Sequence, residues 1–186
     1  VSIDGTNENG FFKLGYTHTT DKGILPNSQI DKNLVNFAAS YKLAKRLKVF
    51  SSVNYTGTDG TGRYGSGYDA QNQMTSFREW WQVNVDVKEQ EEAYNRNKKN
   101  VTWNWADPTD LVPIYWDNIY WVRYENFETD HRNRYFGYLG TTYSLTDWLD
   151  ITGRASLDQY DEIQEERVAV GSIDVSQYSR FNRSFQ

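Results

Sequence analysis

Six of the seven tryptophans in this 186-residue chain fall between positions 80 and 121: Trp80, Trp81, Trp103, Trp105, Trp116 and Trp121, with Tyr115 and Tyr120 among them. An aromatic ring offers a flat apolar face and, in Trp and Tyr, a polar edge, which suits stacking on a sugar ring or packing a peptide side chain. A polar stretch with this much ring surface cannot leave it all in water, so the rings pack on one another or on a partner. Trp80 and Trp81 are adjacent in a segment expected to be helical over 70–93, and at least one of them is expected to hold that segment together. Trp103, Trp105, Tyr115, Trp116, Tyr120 and Trp121 are the candidates for contact with a bound molecule or a covering protein.

Residues for bond-making chemistry are scarce. His18 and His131 are the only histidines, far apart and flanked by threonines and charges. Glu91-Glu92 and Glu165-Glu166 are adjacent pairs, which point apart on a regular element, unlike the converging carboxylates of a glycosidase. There is no cysteine, which removes disulfides and thiolate metal sites. Gly60-Thr-Gly62-Arg-Tyr-Gly65 spells the G-x-G-x-x-G of dinucleotide sites, but that motif follows a buried parallel strand that is almost continuously apolar. The preceding LKVFSSVNYT alternates instead. We therefore assign no catalytic residue, metal or cofactor, and expect a protein that is not an enzyme.

The elements that must carry the rings are strands. DWLDITGRASLDQYD (147–161) places Leu149, Ile151, Gly153, Ala155 and Leu157 on one face, and Asp150, Thr152, Arg154, Ser156 and Asp158 on the other. Around a tight turn near Ala44–Arg46, Val35, Phe37, Ala39 and Tyr41 share a face with Leu47, Val49, Val53 and Tyr55. A further arm alternates Phe12, Leu14 and Tyr16 against Lys13, Gly15 and Thr17. The stretches 33–56 and 135–158 echo one another at an offset of 102, as strand, polar turn, strand. Each arm has about nine to eleven residues, the length of a tilted bilayer-crossing strand. Tight turns at 44–46 and 144–147 fall at one end; 20–32, the aromatic insertion 57–131 and the tail after Tyr160 fall at the other. Tyr41, Tyr143 and Trp148 lie beside the tight turns.

Two all-β architectures fit this pattern. In an outer-membrane barrel the apolar face meets lipid and the charged face a wet lumen, with short turns on one side and long loops on the other. In a sandwich the apolar face meets a second sheet. A mean hydropathy of −0.81 suits a barrel, where only alternate strand residues face lipid. No apolar run approaches the roughly 20 residues of a membrane-spanning helix. A formal charge of −5 with no basic block argues against nucleic acid as a partner.

GILPNSQIDKNLVNFAASYKLAKRLKVFSSVNYT and RNRYFGYLGTTYSLTDWLDITGRASLD resemble early barrel hairpins of the SusC/RagA family of TonB-dependent outer-membrane transporters. There, G-I-x-P-N-S precedes a strand, a Y-K-L turn and another strand, and a later turn reads I-T-D-W-L. The likeness spans roughly residues 10 to 186; DNIYW at 117–121 departs from the family's N-P-Y-W. It implies about five strands of an antiparallel transmembrane barrel of about 22 strands, with 57–131 as an extracellular loop containing a short helix, and a plug domain that this chain does not show. It implies residence in the bacterial outer membrane and energised import of oligosaccharides or peptides. The implied partners are a SusD-like lid lipoprotein, the TonB complex acting through the plug, and the lipid bilayer. Asp150, Thr152, Arg154, Ser156 and Asp158 would line the lumen. The alternatives are a passive porin-like barrel and a glycan-binding β-sandwich.

Overall fold

The computed structural model describes residues 1–63, 67, 68, 71–173 and 179–185; Gly65 of the glycine motif lies outside them. In chain order they form β1 (Ser2–Asn7), β2 (Gly10–Lys22), β3 (Gln29–Ala44) and β4 (Leu47–Thr61). The insertion follows, with a single helical turn α1 (Gln73–Thr75), a π-helical turn (Ser76–Trp80), α2 (Val87–Asn97), the short strands β5 (Trp105–Asp107) and β6 (Asp110–Pro113), and α3 (Ile119–Tyr124). The chain then returns through β7 (Phe127–Ser144), β8 (Asp150–Val168) and β9 (Ser179–Phe185). The protein is mainly antiparallel β-sheet, as the alternation predicts. One sheet runs β1-β2-β3-β4-β7-β8-β9, and the insertion branches off between its fourth and fifth strands. The sheet is open rather than closed into a barrel.

Register explains how alternation in separate segments becomes one surface. Tyr16 pairs with Val35, Val35 with Tyr55, Tyr55 with Tyr135, and Tyr135 with Gln159. Directly paired residues share a face, so the apolar halves of five long strands merge into one band. Leu14, Phe37, Val53 and Leu157 lie along it, as do Leu139 and Ile151. This surface has no cover among the described residues: Leu157 is 61 % exposed, Leu139 59 % and Ile151 55 %. Tyrosines end the band in both directions. Tyr41 and Tyr143 stand near the tight turns; Tyr16, Tyr55 and Tyr135 stand eight residues from Tyr143 or at matching positions on neighbouring strands. Past the second row the same face turns polar: the Tyr16 hydroxyl donates to Asn33, the Tyr55 hydroxyl to Asn133, and His131 bonds Asp59. Leu149, expected within the strand, sits in the β7–β8 turn, where its carbonyl accepts from Leu145.

The connections are sorted by end. Residues 8–9, 45–46 and 145–149 turn tightly at one end. The first is an Asx turn, the Asn7 side chain accepting from the amides of Asn9 and Gly10. The β2–β3 loop and the insertion emerge at the other end. The continuous helix expected over 70–93 is absent. Trp81 takes an extended backbone (ψ 136°) after the π-helical turn, and Val83 and Val85, both β-branched, follow without helical structure. Helix formation restarts at Asp86, whose side chain caps α2 by accepting from the Lys88 amide.

One buried guanidinium ties insertion to sheet. Arg123, in the last turn of α3, is 4 % exposed and donates to the carbonyls of Pro26, Asn27 and Gly62 at 2.9, 3.4 and 2.7 Å. It thereby joins the β2–β3 loop, the end of β4 and α3. Burial pulls its pKa down, and the charge of Glu128 opposes that shift. Gly62 makes the approach possible: its φ is +76°, and a Cβ there would collide with the Asn27 carbonyl and the Arg123 guanidinium. Gly62→Ala should therefore loosen the insertion by about 1–3 kcal/mol, the usual cost of a strained backbone position. Limited proteolysis should cut 62–126 faster in this variant, while the strand pairing of 29–61 with 127–168 keeps its amide-exchange protection.

Candidate functional site

The insertion is organised by buried amides more than by apolar packing. Asn118 is fully buried; its side-chain NH2 donates to the carbonyls of Gln90 and Val101 at 2.8 and 2.7 Å, and its oxygen caps α3 by accepting from Tyr120 and Trp121. Asn104 accepts from the amides of Tyr115 and Trp116, both at 2.9 Å, and donates to the Trp116 carbonyl at 2.7 Å. Asn100 donates to Asp117 and the Gly171 carbonyl. Asn126 accepts from the Ala169 amide and the Ser172 hydroxyl. Each amide satisfies backbone groups that an irregular chain cannot pair within itself. Leu-type core is minimal: among the described residues the buried hydrophobics are Tyr94, Ile119 and Val122.

These clamps present a groove of about 630 Å³ lined by Tyr68, Trp80, Trp103, Ile114, Tyr115 and Trp116, with Gln82, Asn104 and Ile173 beside them. Trp80 and Trp116 have centroids 6.4 Å apart and planes within 28° of one another. Tyr68 stands edge-on to both, at 6.4 and 6.3 Å. Trp103 joins this wall to the packing behind it, meeting Trp81 at 6.1 Å; Trp81 in turn packs on Phe77 at 5.0 Å. Among the described residues, none of those lining the groove carries a charge.

The structure thus divides the sequence candidates. Trp103, Tyr115 and Trp116 meet at the groove. Trp105 is 39 % exposed on β5 and lines neither of the larger hollows. Tyr120 is half-buried, and its hydroxyl pKa is raised chiefly by burial and further by the Glu91 carboxylate. Trp121 donates its indole N–H to the Ser172 hydroxyl at 2.8 Å and lines a separate hollow of about 700 Å³ with Val101, Leu111, Val112 and Pro113. Of Trp80 and Trp81, at least one of which is expected to pack, Trp81 does so, with its N–H on the Val85 carbonyl at 3.0 Å. Trp80 is 47 % exposed in the groove. It belongs with the site. Spacing could not separate the two, because the break after Trp80 rotates Trp81 to the other side. Tyr68 carries no sequence signal beyond its neighbouring glycine, Gly67, which sits at φ +72°.

On the sheet, Asp150, Thr152, Arg154, Ser156 and Asp158 share the face opposite the apolar band. Asp158 takes a two-pronged ion pair from Arg134 at 2.8 and 2.6 Å, Thr152 bonds Thr142, and Arg154 lies over the Tyr138 ring. His18 and His131 lie instead on the face of the apolar band, beyond its outer tyrosine row. Among the described residues no three metal-ligating side chains converge, and no helix is long and apolar enough to cross a membrane. No family model matches this chain, and no curated protein matches it either.

The packing of α2 on α3 has a titratable centre. Tyr94 is 3 % exposed, stacks on Tyr124 with planes 4° apart, and donates to Glu125 at 2.8 Å. Burial, then the bond to Glu125, pushes its hydroxyl pKa well up. A raised folded-state pKa means stabilisation that is complete below the unfolded tyrosine value of about 10 and lost as pH rises past it. The insertion should therefore loosen in alkali, seen as loss of near-UV circular dichroism. Tyr94→Phe should flatten that alkaline transition and cost about 1 kcal/mol at neutral pH, the worth of one hydrogen bond.

Proposed function

We propose that this chain is a stretch of the wall of an outer-membrane β-barrel importer of the SusC/RagA type, with residues 57–131 as its extracellular loop. The observation that carries the reading is the uncovered apolar band between two tyrosine rows. From Tyr135 to Tyr143 the strand runs eight residues, about 26 Å at roughly 3.3 Å each. At a barrel tilt of about 35–45° this spans about 19–22 Å of membrane depth, and the tyrosine rings extend the band at both margins towards the ~25 Å apolar belt of outer-membrane barrels. Aromatic rows at both margins are what a bilayer selects, since amphipathic rings settle at headgroup level.

The opposite face supports the same reading. Arginines, acids and hydroxyls set among Phe50, Phe136 and Tyr138 suit a wet interior. A glycan-binding sandwich would need a second sheet on the apolar band, and the other sheet among the described residues is the small β5–β6 pair. The sorting of tight turns to one end and the insertion to the other matches periplasmic turns and extracellular loops. In this reading the barrel closes through further strands beyond β1 and β9, and a SusD-like lipoprotein covers the insertion. TonB acts through a plug carried elsewhere in the protein, and the cargo is an oligosaccharide or a peptide.

The two faces should respond oppositely to one charge. Ile151→Arg in the full-length protein should cost about 2–4 kcal/mol if it lies near the bilayer midplane and deplete the protein from the outer-membrane fraction. Ser156→Arg, on the polar face, should assemble normally. Equal tolerance of both would refute the lipid-facing assignment.

A further inference from the structure

The apolar band is dented at its tight-turn end, where a hollow of about 340 Å³ opens beside Phe12 and Tyr41. Gly5, Asn7, Gly10 and Ala39 also line it. Pairing places all six on the face of the band: Gly5 opposite Phe12, Phe12 opposite Ala39, Asn7 opposite Gly10, and Gly10 opposite Tyr41. Glycine makes the dent. A Cβ on Gly5 would lie 2.6 Å from Phe12 Cε1, and one on Gly10 would lie 2.9 Å from Tyr41 Cδ2. Each ring therefore leans across the neighbouring strand, and Ala39, opposite Phe12 and two residues from Tyr41, is the floor. Beside the dent, β3 turns into β4 through YKLAKRLK (41–48), where Lys42, Lys45, Arg46 and Lys48 stand without a carboxylate among them. Arg46 reaches Asp147 at 3.6 Å. Lys42, Lys45 and Lys48 are exposed and form no ion pair among the described residues. Lys42 and Lys48 pair directly across the ladder, a repulsion of like charges that an anion from outside would relieve. The adjoining β1–β2 turn brings a single carboxylate, Glu8.

From this we infer that the dent and the basic turn together hold one anionic phospholipid of the leaflet on the tight-turn side, with an acyl chain between Phe12 and Tyr41 and the phosphate among Lys42, Lys45 and Lys48. The inference rests on reading the apolar band as lipid-facing, and it adds which lipid that face selects. The two halves of the site contribute differently. Acyl chains are all apolar and the whole band is open to them, so the dent gains only through closer van der Waals fit. Selection comes from charge. A lysine near a membrane surface favours acidic headgroups by roughly fivefold in affinity, and its field reaches about 8–10 Å before salt screens it. Lys42 and Lys48 start on the polar face, but their long stems let the ammonium groups swing past the strand ends to headgroup level. Tyr41 marks that level, since amphipathic rings settle there. A zwitterionic lipid brings its own cation beside the phosphate and gains less. The opposite margin of the band lacks such a turn: past Tyr16, Tyr55 and Tyr135 the same face carries Asp31, Asp59 and Asp161.

The test is native mass spectrometry of the full-length protein, released from detergent micelles after equilibration with dioleoyl-phosphatidylglycerol or dioleoyl-phosphatidylcholine. One phosphatidylglycerol should be retained per chain, about tenfold or more tightly than phosphatidylcholine. Lys42→Gln, Lys45→Gln and Lys48→Gln combined in one chain should abolish that preference. Ala39→Leu, which fills the floor with another apolar side chain, should weaken retention several-fold while outer-membrane assembly stays normal. Leu157→Ala, elsewhere on the band, should leave retention unchanged and controls for loss of general lipid contact. The inference is overturned if phosphatidylcholine is held as tightly as phosphatidylglycerol, if the triple lysine variant keeps the preference, or if Ala39→Leu leaves retention untouched. Detergent requirement is read on the same preparations and judges the barrel separately. A protein that needs detergent yet shows no preference removes this site and leaves the barrel standing. One that stays monodisperse without detergent sinks the barrel, and phosphatidylglycerol held with the same dependence on Ala39 and the three lysines would still locate the site.

Discussion

An unbroken antiparallel register is the constraint on which the rest of this molecule depends. From β2 to β8 each long strand pairs with its neighbour without a slip, apart from one shift beside the β3–β4 turn. A slip of one residue at any pairing would send that strand's Leu, Val and Tyr to the opposite face and its Lys, Arg and Asp into the apolar band. With the register held, the sheet has one face that water cannot solvate cheaply and one face that needs water. Among the described residues nothing folds back over the apolar side; the insertion meets the sheet at its rim, through Arg123 and Gly62.

The insertion follows a different logic. Its backbone is irregular, so its polar groups require partners that strands and long helices would otherwise supply. Buried asparagines provide them, each with one acceptor and one NH2 group, and a buried arginine gathers three carbonyls at the rim. This way of holding a loop has a functional consequence. Because the clamps are polar and local, the large rings are not needed as a core. Several remain at the surface, with Trp80 stacked on Trp116. Rigid support behind exposed rings is what a binding surface requires, since little ordering cost remains when a ligand arrives.

The sheet was legible in the residues because period-2 alternation is a strong signal wherever one face is apolar. Phe12, Leu14 and Tyr16, Val35 to Tyr41, Leu47 to Tyr55 and Ile151 to Leu157 all fall on the face their spacing predicts. Strand ends were less legible. β8 continues to Val168 through DEIQEER, where both faces carry charge and the alternation disappears, though hydrogen bonding to β7 persists. In the insertion the ring cluster was visible but its internal division was not. Trp80 and Trp81 are adjacent in sequence, and only the extended backbone at Trp81 sends one to the groove and the other inward. Asn104 and Asn118 gave no warning either, since an asparagine in a polar stretch looks the same whether it is solvated or clamps two backbone segments. The order of the long strands is that of a simple up-and-down meander.

The central claim is that the band through Leu139, Ile151 and Leu157 faces lipid. Its most direct test uses the absence of cysteine from this chain. Single cysteines are placed one at a time at 151 to 157, and the full-length protein is labelled in intact outer membranes with a membrane-impermeant maleimide and with a lipid-soluble one. The account predicts that positions 151, 153, 155 and 157 react with the lipid-soluble reagent, and positions 152, 154 and 156 with the aqueous one. Labelling that fails to alternate, or that alternates in the opposite phase, would contradict it.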